Sequence, residues 1–350
     1  MDPLSSHSIT IRHESLPFGD NYHAVFRSDQ FACMFDNFFE SSREMRVVDL
    51  ERKKTLRTFK CESKEAIVAF SYPYIVTRIE GKLKIWDVSS SLADPIVINT
   101  HLKDIQRGAI QGKTIAIIST QFETSQPKYI TIIRDFNKPD ETMNLFVDDT
   151  IDGSTGLAIY KNYLIYSTYF GALKLVSLDD ATDVKILNTV GDVNTYLEKL
   201  GKENVEEFRK NTAQSIVCEA ETLAYTTEST LKIWNIASDS LQKEINTKKS
   251  YRLLSFEGRF VLGVTNKSAK IWDIINGNVI YKKEDAFPFA GNIPSLTLFK
   301  NKIYHVGRQD EKEDDIIIPQ EEKSVLEKKD SDEKQEAAAE KPQKGRCLVS

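Results

Sequence analysis

Apolar positions along this chain come in short runs, set in pairs around small polar turns. AIVAF-SYP-YIVTR (66–78), GAI-QGK-TIAIIS (108–119), LAI-YKN-YLIYST (157–168), SIVC-EAE-TLAYT (215–226), LLSF-EG-RFVLGV (253–264) and SLTLF-KNK-IYHVG (295–307) share this form. FACMF-DN-FFE (31–40) opens the series less regularly. The runs are rich in β-branched and aromatic residues, and long amphipathic helical patterns are nearly absent, so the pattern predicts strands. Alternation within the runs is weak, as expected of sheets covered on both faces.

After each pair comes a third segment of similar form. Leu83-Lys84-Ile85-Trp86-Asp87-Val88, Leu231-Lys232-Ile233-Trp234-Asn235-Ile236 and Ala269-Lys270-Ile271-Trp272-Asp273-Ile274 match closely. Weaker copies are MRVVDL (45–50), YITIIR (129–134) and LKLVSL (173–178), with a degenerate one at 316–318. Aligning Val48, Trp86, Ile132, Val176, Trp234, Trp272 and Ile317 gives spacings of 38, 46, 44, 58, 38 and 45. A polar fourth segment follows, such as 52–59 or 240–245. A repeat of about 40–45 residues is the period of a propeller blade.

On these residues the chain resembles the WD-repeat β-propeller family, over about residues 8–318. The resemblance rests on Trp86/Asp87, Trp272/Asp273 and the variant Trp234/Asn235. It implies an all-β fold of seven blades, with six as the alternative count. No Gly-His dipeptide occurs, so the family's buried Asp–His–Ser/Thr–Trp network is not expected. Segment 8–12 (SITIR) is the candidate closing strand, which would pair with the last blade and remove exposed edges. The 58-residue interval holds GDVNTYLEKLGKENVEEFRKNT (191–212), whose caps and apolar spacing predict a small helical insertion.

Charge divides the chain differently. From 309 to 350 there are thirteen acids and eight bases, which accounts for the whole net charge of −5; residues 1–308 are neutral. The domain reading is therefore a propeller over 1–318 and an acidic tail over 319–350, whose composition predicts disorder. A neutral body gives no general attraction to phosphate backbones, which argues against nucleic acid as a partner. Four cysteines, at 33, 61, 218 and 347, make no disulfide framework and suit a reducing compartment. No apolar run has the length of a membrane span, and the N-terminus lacks signal-peptide form.

Enzyme signatures fail. Gly112-Lys113-Thr114 looks like the end of a phosphate loop, but it lies between two strands, where a phosphate loop must open a helix. Asp148/Asp149 and Asp179/Asp180 read as solvated turn residues. Histidines and cysteines show no metal-ligand spacing, so no metal or cofactor is expected. Asn266-Lys267-Ser268 is a glycosylation sequon by letters and reads as a turn.

The sharpest local signal is Cys347-Leu348-Val349-Ser350, which resembles the C-a-a-X prenylation box; a terminal Ser favours farnesyl. A transferase needs an extended, accessible terminus, and a flexible tail of about 40 residues, with a reach of roughly 35 Å, supplies one. One lipid chain anchors weakly. The upstream acids oppose Lys341, Lys344 and Arg346, so the sequence offers this anchor no help from charge. The resulting expectation is a non-catalytic interaction scaffold on the cytosolic face of membranes, lipidated at Cys347 by a protein prenyltransferase. Its protein partners would meet loops 16–22, 146–156 and 285–292, with Phe18, Phe287 and Phe289 as anchors. The alternatives are a substrate receptor of a ubiquitin ligase-type complex and a propeller enzyme with a channel site.

Overall fold

The computed structural model describes residues 8–15, 22–36, 43–91, 94–100, 102, 104–120, 128–140, 142–146, 156–167, 173–180, 182–188, 215–227, 229–265, 268–284, 296–305 and 316–319. Among these, the regular elements are all strands. After β1 (Ser8–Ser15), blade 1 is formed by β2 (Tyr22–Ser28), β3 (Phe31–Asp36), β4 (Arg43–Asp49) and β5 (Lys54–Cys61). Blade 2 holds β6 (Ala66–Ser71), β7 (Tyr74–Ile79), β8 (Lys82–Asp87) and β9 (Ile96–Asn99). Blade 3 holds β10 (Asp104–Gln111), β11 (Thr114–Thr120), β12 (Lys128–Ile133) and β13 (Thr142–Phe146). Blade 4 holds β14 (Leu157–Tyr160), β15 (Tyr163–Ser167), β16 (Leu173–Ser177) and β17 (Val184–Asn188). Blade 5 holds β18 (Ser215–Glu219), β19 (Thr222–Thr226), β20 (Thr230–Asn235) and β21 (Ser240–Asn246). Blade 6 holds β22 (Arg252–Glu257), β23 (Phe260–Val264), β24 (Ser268–Asp273) and β25 (Val279–Glu284). Blade 7 orders β26 (Leu296–Phe299), β27 (Lys302–His305), β1 and β28 (Ile316–Pro319).

These are seven four-stranded sheets. The first strand of each sheet neighbours the first strand of the next, from β2 round to β26 and back to β2. The ring is therefore closed, and the fold is a β-propeller. Its core lies between blades. Val68, Val76 and Leu83 of blade 2 pack with Ile110, Ile115 and Ile117 of blade 3, and Ala32, Met34 and Val48 of blade 1 pack with Phe299 and Tyr304 of blade 7. Burial of each large aliphatic or aromatic side chain contributes about 1.5–3 kcal/mol.

The ring has two unlike faces. All seven links from first to second strand are two-residue hairpins, at 29–30, 72–73, 112–113, 161–162, 220–221, 258–259 and 300–301. The first turn residue has positive φ at Asp29, Gly112, Lys161, Ala220, Gly258 and Lys300, the conformation that matches hairpin twist. The third-to-fourth turns lie on this same side, which we term the turn face. Connections from second to third strand, and from each fourth strand to the next blade, leave on the loop face. They include 16–21, 37–42, 121–127, 147–155, 189–214, 285–295 and 306–315.

The closing strand lies on the last blade: Ser8, Ile9, Thr10 and Ile11 pair antiparallel with Pro319, Ile318, Ile317 and Ile316. Its place corrects the alignment made from sequence. β1 occupies the third position of blade 7, parallel to β27, and 316–318 forms the fourth strand where a third was expected. Blade 1 brings a second correction. FACMF is its second strand, paired with β2 across the Asp29-Gln30 turn, where sequence had made it the first. The YHAVFRS run was overlooked because its apolar positions are broken by His23 and Arg27 and by a register shift between His23 and Val25. The expected helical insertion (191–212) and the tail (320–350) lie outside the described residues.

Candidate functional site

The third-strand tryptophans sit in three different environments. In blade 2, Trp86 Nε1 donates to Glu65 Oε1 at 3.1 Å and to Thr77 Oγ1 at 3.0 Å, and the Thr77 hydroxyl donates to Glu65 in turn. Lys84 Nζ, two residues before the tryptophan and on the same side of β8, reaches Glu65 Oε2 at 3.0 Å and Glu62 Oε1 at 2.6 Å. Glu65 is wholly buried, so its charge is matched by three side-chain donors. Burial works against the Lys84 charge, but hydrogen bonds to Glu62 and Glu65 outweigh it and hold its pKa above the ordinary lysine value. The Lys84 ammonium likewise lowers the pKa of Glu62. A buried polar network of another composition, Glu–Thr–Lys–Trp, thus surrounds this repeat tryptophan. Glu65, just ahead of the first strand, supplies its acceptor. The usable signal in the sequence was the Lys84/Trp86 pair, which strand periodicity places on one face.

Blade 6 solves the same position without a carboxylate. Register places Gly263 where blade 2 has Thr77, and Tyr251 where it has Glu65. A Cβ on Gly263 would lie 2.9 Å from Trp272 Cζ3 and 3.2 Å from both Leu253 Cδ2 and Tyr251 Cβ. The missing side chain admits the Trp272 indole, which meets Tyr251 edge-on at 4.8 Å and 86°. Lys270, equivalent to Lys84, lies over the Tyr251 ring at 5.2 Å. In blade 5, Tyr225 takes the Thr77 position, and residue 214, at the Glu65 position, lies outside the described residues. There Trp234 Nε1 and the Tyr225 hydroxyl are buried without a partner among the described residues.

The residue after each tryptophan caps the turn that follows. Asp87 Oδ1 accepts from Ser89 N (2.8 Å) and Ser90 N (3.2 Å), and Asn235 Oδ1 accepts from Ser238 N (2.8 Å). Asp49 does the same in blade 1. Asp273 is fully buried; Arg259 grips both its oxygens, and Ile275 N and Asn276 Nδ2 donate to it as well.

On the turn face, neighbouring blades are linked by one recurring contact. The last residue of a first strand accepts from the opening amide of the next blade's hairpin: Ser28 from Tyr72 (3.1 Å), Glu219 from Gly258 (2.6 Å), Glu257 from Lys300. Phe299 cannot accept, and Lys300 bonds Glu51 of blade 1 instead, at 2.7 Å. Arg27 of blade 1 reaches past blade 7 to Phe256 O (2.7 Å) and Glu257 Oε2 (3.4 Å) of blade 6. Burial raises the Glu219 pKa against the opposing Gly258 amide and Arg27 charge. These carboxylates are committed to holding the ring.

Among the described residues no group of three or more His, Cys, Asp or Glu could hold a metal ion. Gly112 and Lys113 form a hairpin turn, and Asp179 and Asp180 sit in the turn after β16, bonded to Asn162 and Thr182. Cys33 and Cys61 are buried together, and burial first, then Cys61, pushes the Cys33 thiol well up. Burial and the Glu219 charge push Cys218 up to about 12. No described helix is long and apolar enough to cross a membrane.

Phe18, Phe287, Phe289 and Cys347 lie outside the described residues. The described strand ends that flank 16–21, 147–155, 189–214 and 285–295 all lie at the loop-face side of the ring.

No protein-family model matches the chain, and no curated protein matches it. Among solved structures it is similar to the computationally designed protein Ika8 (14% identity, 86% of this chain and 98% of that chain, TM-score 0.48). It is also similar to a chain of the nidogen/laminin complex (13% identity, 75% and 93%, TM-score 0.48). A third is the Cps50 (Swd1) β-propeller domain of Myceliophteria thermophila (13% identity, 79% and 87%, TM-score 0.49).

Proposed function

We propose that this propeller is a non-catalytic protein-interaction scaffold that binds through its loop face and is tethered to membranes by a lipid on Cys347. The observation that carries the binding half is the asymmetry of the ring. One face carries the seven two-residue hairpins, the inter-blade hydrogen bonds and third-to-fourth connections of at most eight residues, whereas the four longest connections (147–155, 189–214, 285–295 and 306–315) leave from strand ends on the other. Propellers are commonly interaction scaffolds, and loops displayed on a rigid frame are where binding residues concentrate. The tether is supported by the Cys347-Leu348-Val349-Ser350 box at the end of an acidic tail.

Two experiments test the two halves separately. Phe287→Ala/Phe289→Ala is expected to lose the main partners recovered by affinity capture and mass spectrometry, with thermal stability unchanged. Retention of every partner would count against the loop face. Fractionation of cells is expected to show Cys347→Ser leaving the membrane fraction; equal membrane fractions for variant and wild type would remove the tether.

A further inference from the structure

We propose that the outer edge of blade 1, along β5, is a docking surface for an anionic lipid bilayer. The inference rests on the tethered reading above and supplies the charge that the tail lacks. From Arg52 to Lys60 the chain carries Arg52, Lys53, Lys54, Arg57 and Lys60 with no intervening acid. Folding sorts this run by strand periodicity. Arg57 and Phe59 turn inward towards blade 2, Arg57 onto Asp87 O and Phe59 onto Trp86. The alternate set is left exposed along the strand, with Lys54 at its turn-face end, Lys60 near its loop-face end and Leu56, 40% exposed, between them.

Arg52 extends the same edge, 77% exposed with its Nε 3.7 Å from the buried Asp49, and Glu51, at the start of the turn, is held by Lys300. On the next blade, Val97 of the outer strand β9 is 50% exposed. Cations set beside isolated exposed aliphatics are the composition of surfaces that settle on anionic headgroups and dip shallowly into the acyl boundary.

Topology brings the tether to the same place. β28 is the outer strand of blade 7, next to blade 1, and Pro319 pairs with Ser8 at the turn-face end of that blade. The described chain therefore ends on the blade next to blade 1, at the turn-face end, the end of β5 that carries Lys54. A single lipid chain binds marginally, and a basic surface beside its tether converts that into stable attachment by acting as the second signal.

The test uses the full chain without lipid, cosedimented with vesicles of phosphatidylcholine alone or with added phosphatidylserine. Binding is expected only to the phosphatidylserine vesicles, weakening as salt is raised. Arg52→Gln/Lys54→Gln/Lys60→Gln is expected to cut it about tenfold or more, since each cation near an anionic surface strengthens binding several-fold. Lys54 and Lys60 are exposed and Arg52 gives up only a 3.7 Å ion pair with Asp49, so the variant should melt close to the wild type. Equal binding to both vesicle types, no binding to either, or a triple variant that binds as wild type would overturn the proposal. So would release from vesicles by RNA at phosphate concentrations well below those of the lipid, which would reassign the surface to nucleic acid. Because no lipid is attached in this assay, its failure removes the patch and leaves the tether to the Cys347→Ser fractionation.

Discussion

Blades 2 and 6 hold the same tryptophan at the same register position and stabilise it by opposite means. Blade 2 surrounds Trp86 with Glu65, Thr77 and Lys84, a charged cluster with its carboxylate fully buried. Blade 6 surrounds Trp272 with Gly263, Tyr251 and Leu253, and places Lys270 over an aromatic face. The difference shows that the repeat specifies a volume more than a set of bonds. A bulky ring on the third strand must be met by something ahead of the first strand and on the second. A satisfied ion pair with a threonine, or a tyrosine with a glycine, will fill the space. The two solutions differ in fragility, because a buried charge tolerates no loss of partners whereas an apolar cage tolerates no gain of volume.

That contrast can be broken most severely at Glu65. Glu65→Ala leaves the Lys84 ammonium with Glu62 alone and the Trp86 N–H with Thr77 alone, and should cost about 3 kcal/mol in denaturant unfolding. A loss below about 1 kcal/mol would mean that the network is satisfied by other groups. Next in size is Gly263→Thr, which imports the blade 2 residue into blade 6. The added Cβ meets Trp272, Leu253 and Tyr251 at or inside 3.2 Å, so overpacking should cost about 1–3 kcal/mol. A neutral result would show that the indole can shift within its cage.

The lysines sharpen the comparison further. Lys270→Met should cost only about 0.5–1 kcal/mol, the size of a partly exposed cation–π contact, and less than Lys84→Met. A second test of Lys84 is pH. The raised Lys84 pKa means that its contribution is fully present below the unfolded lysine value of about 10.4 and is lost as pH rises through the folded value. Lys84→Met should therefore flatten the alkaline side of the stability profile. The smallest effect is expected at Glu219. Its folded pKa is raised, so its protonated form favours folding: stability is gained as pH falls through the folded value and lost as pH rises through it. Glu219→Gln keeps an acceptor for the Gly258 amide and should be near neutral at pH 7 while removing that acid-side gain.

Much of the fold was legible because strands announce themselves locally. Paired apolar runs, two-residue turns and the Trp-Asp positions fall where the repeat placed them, at β8, β20 and β24. The misreadings share a cause. FACMF was taken for a first strand and 316–318 for a third because a strand's place in its sheet depends on its hydrogen-bonded neighbours, which period-two alternation does not encode. Glu65 was missed for a related reason. It lies twelve residues from Thr77 and twenty-one from Trp86, and only the strand register brings the three together. Of the candidate site, the sequence named the loops and Cys347; that these loops share one face followed only from the directions of the strands.

By itself the sequence determined that the chain is built of short strands repeated at blade period, and that its body is neutral and residues 309–350 acidic. Each is a property of local composition and spacing. Tertiary structure decided the rest. It inserted β1 into blade 7, assembled a carboxylate network in blade 2 and a cage around Gly263 in blade 6, and separated a hairpin face from a loop face. It also left alternate members of a run of cations, neutralised in the overall count, exposed on the outer strand of blade 1. The physical reason is that charge and volume act through space. A net charge of zero constrains only the sum, and the fold decides which charges are paired inside and which are left facing out.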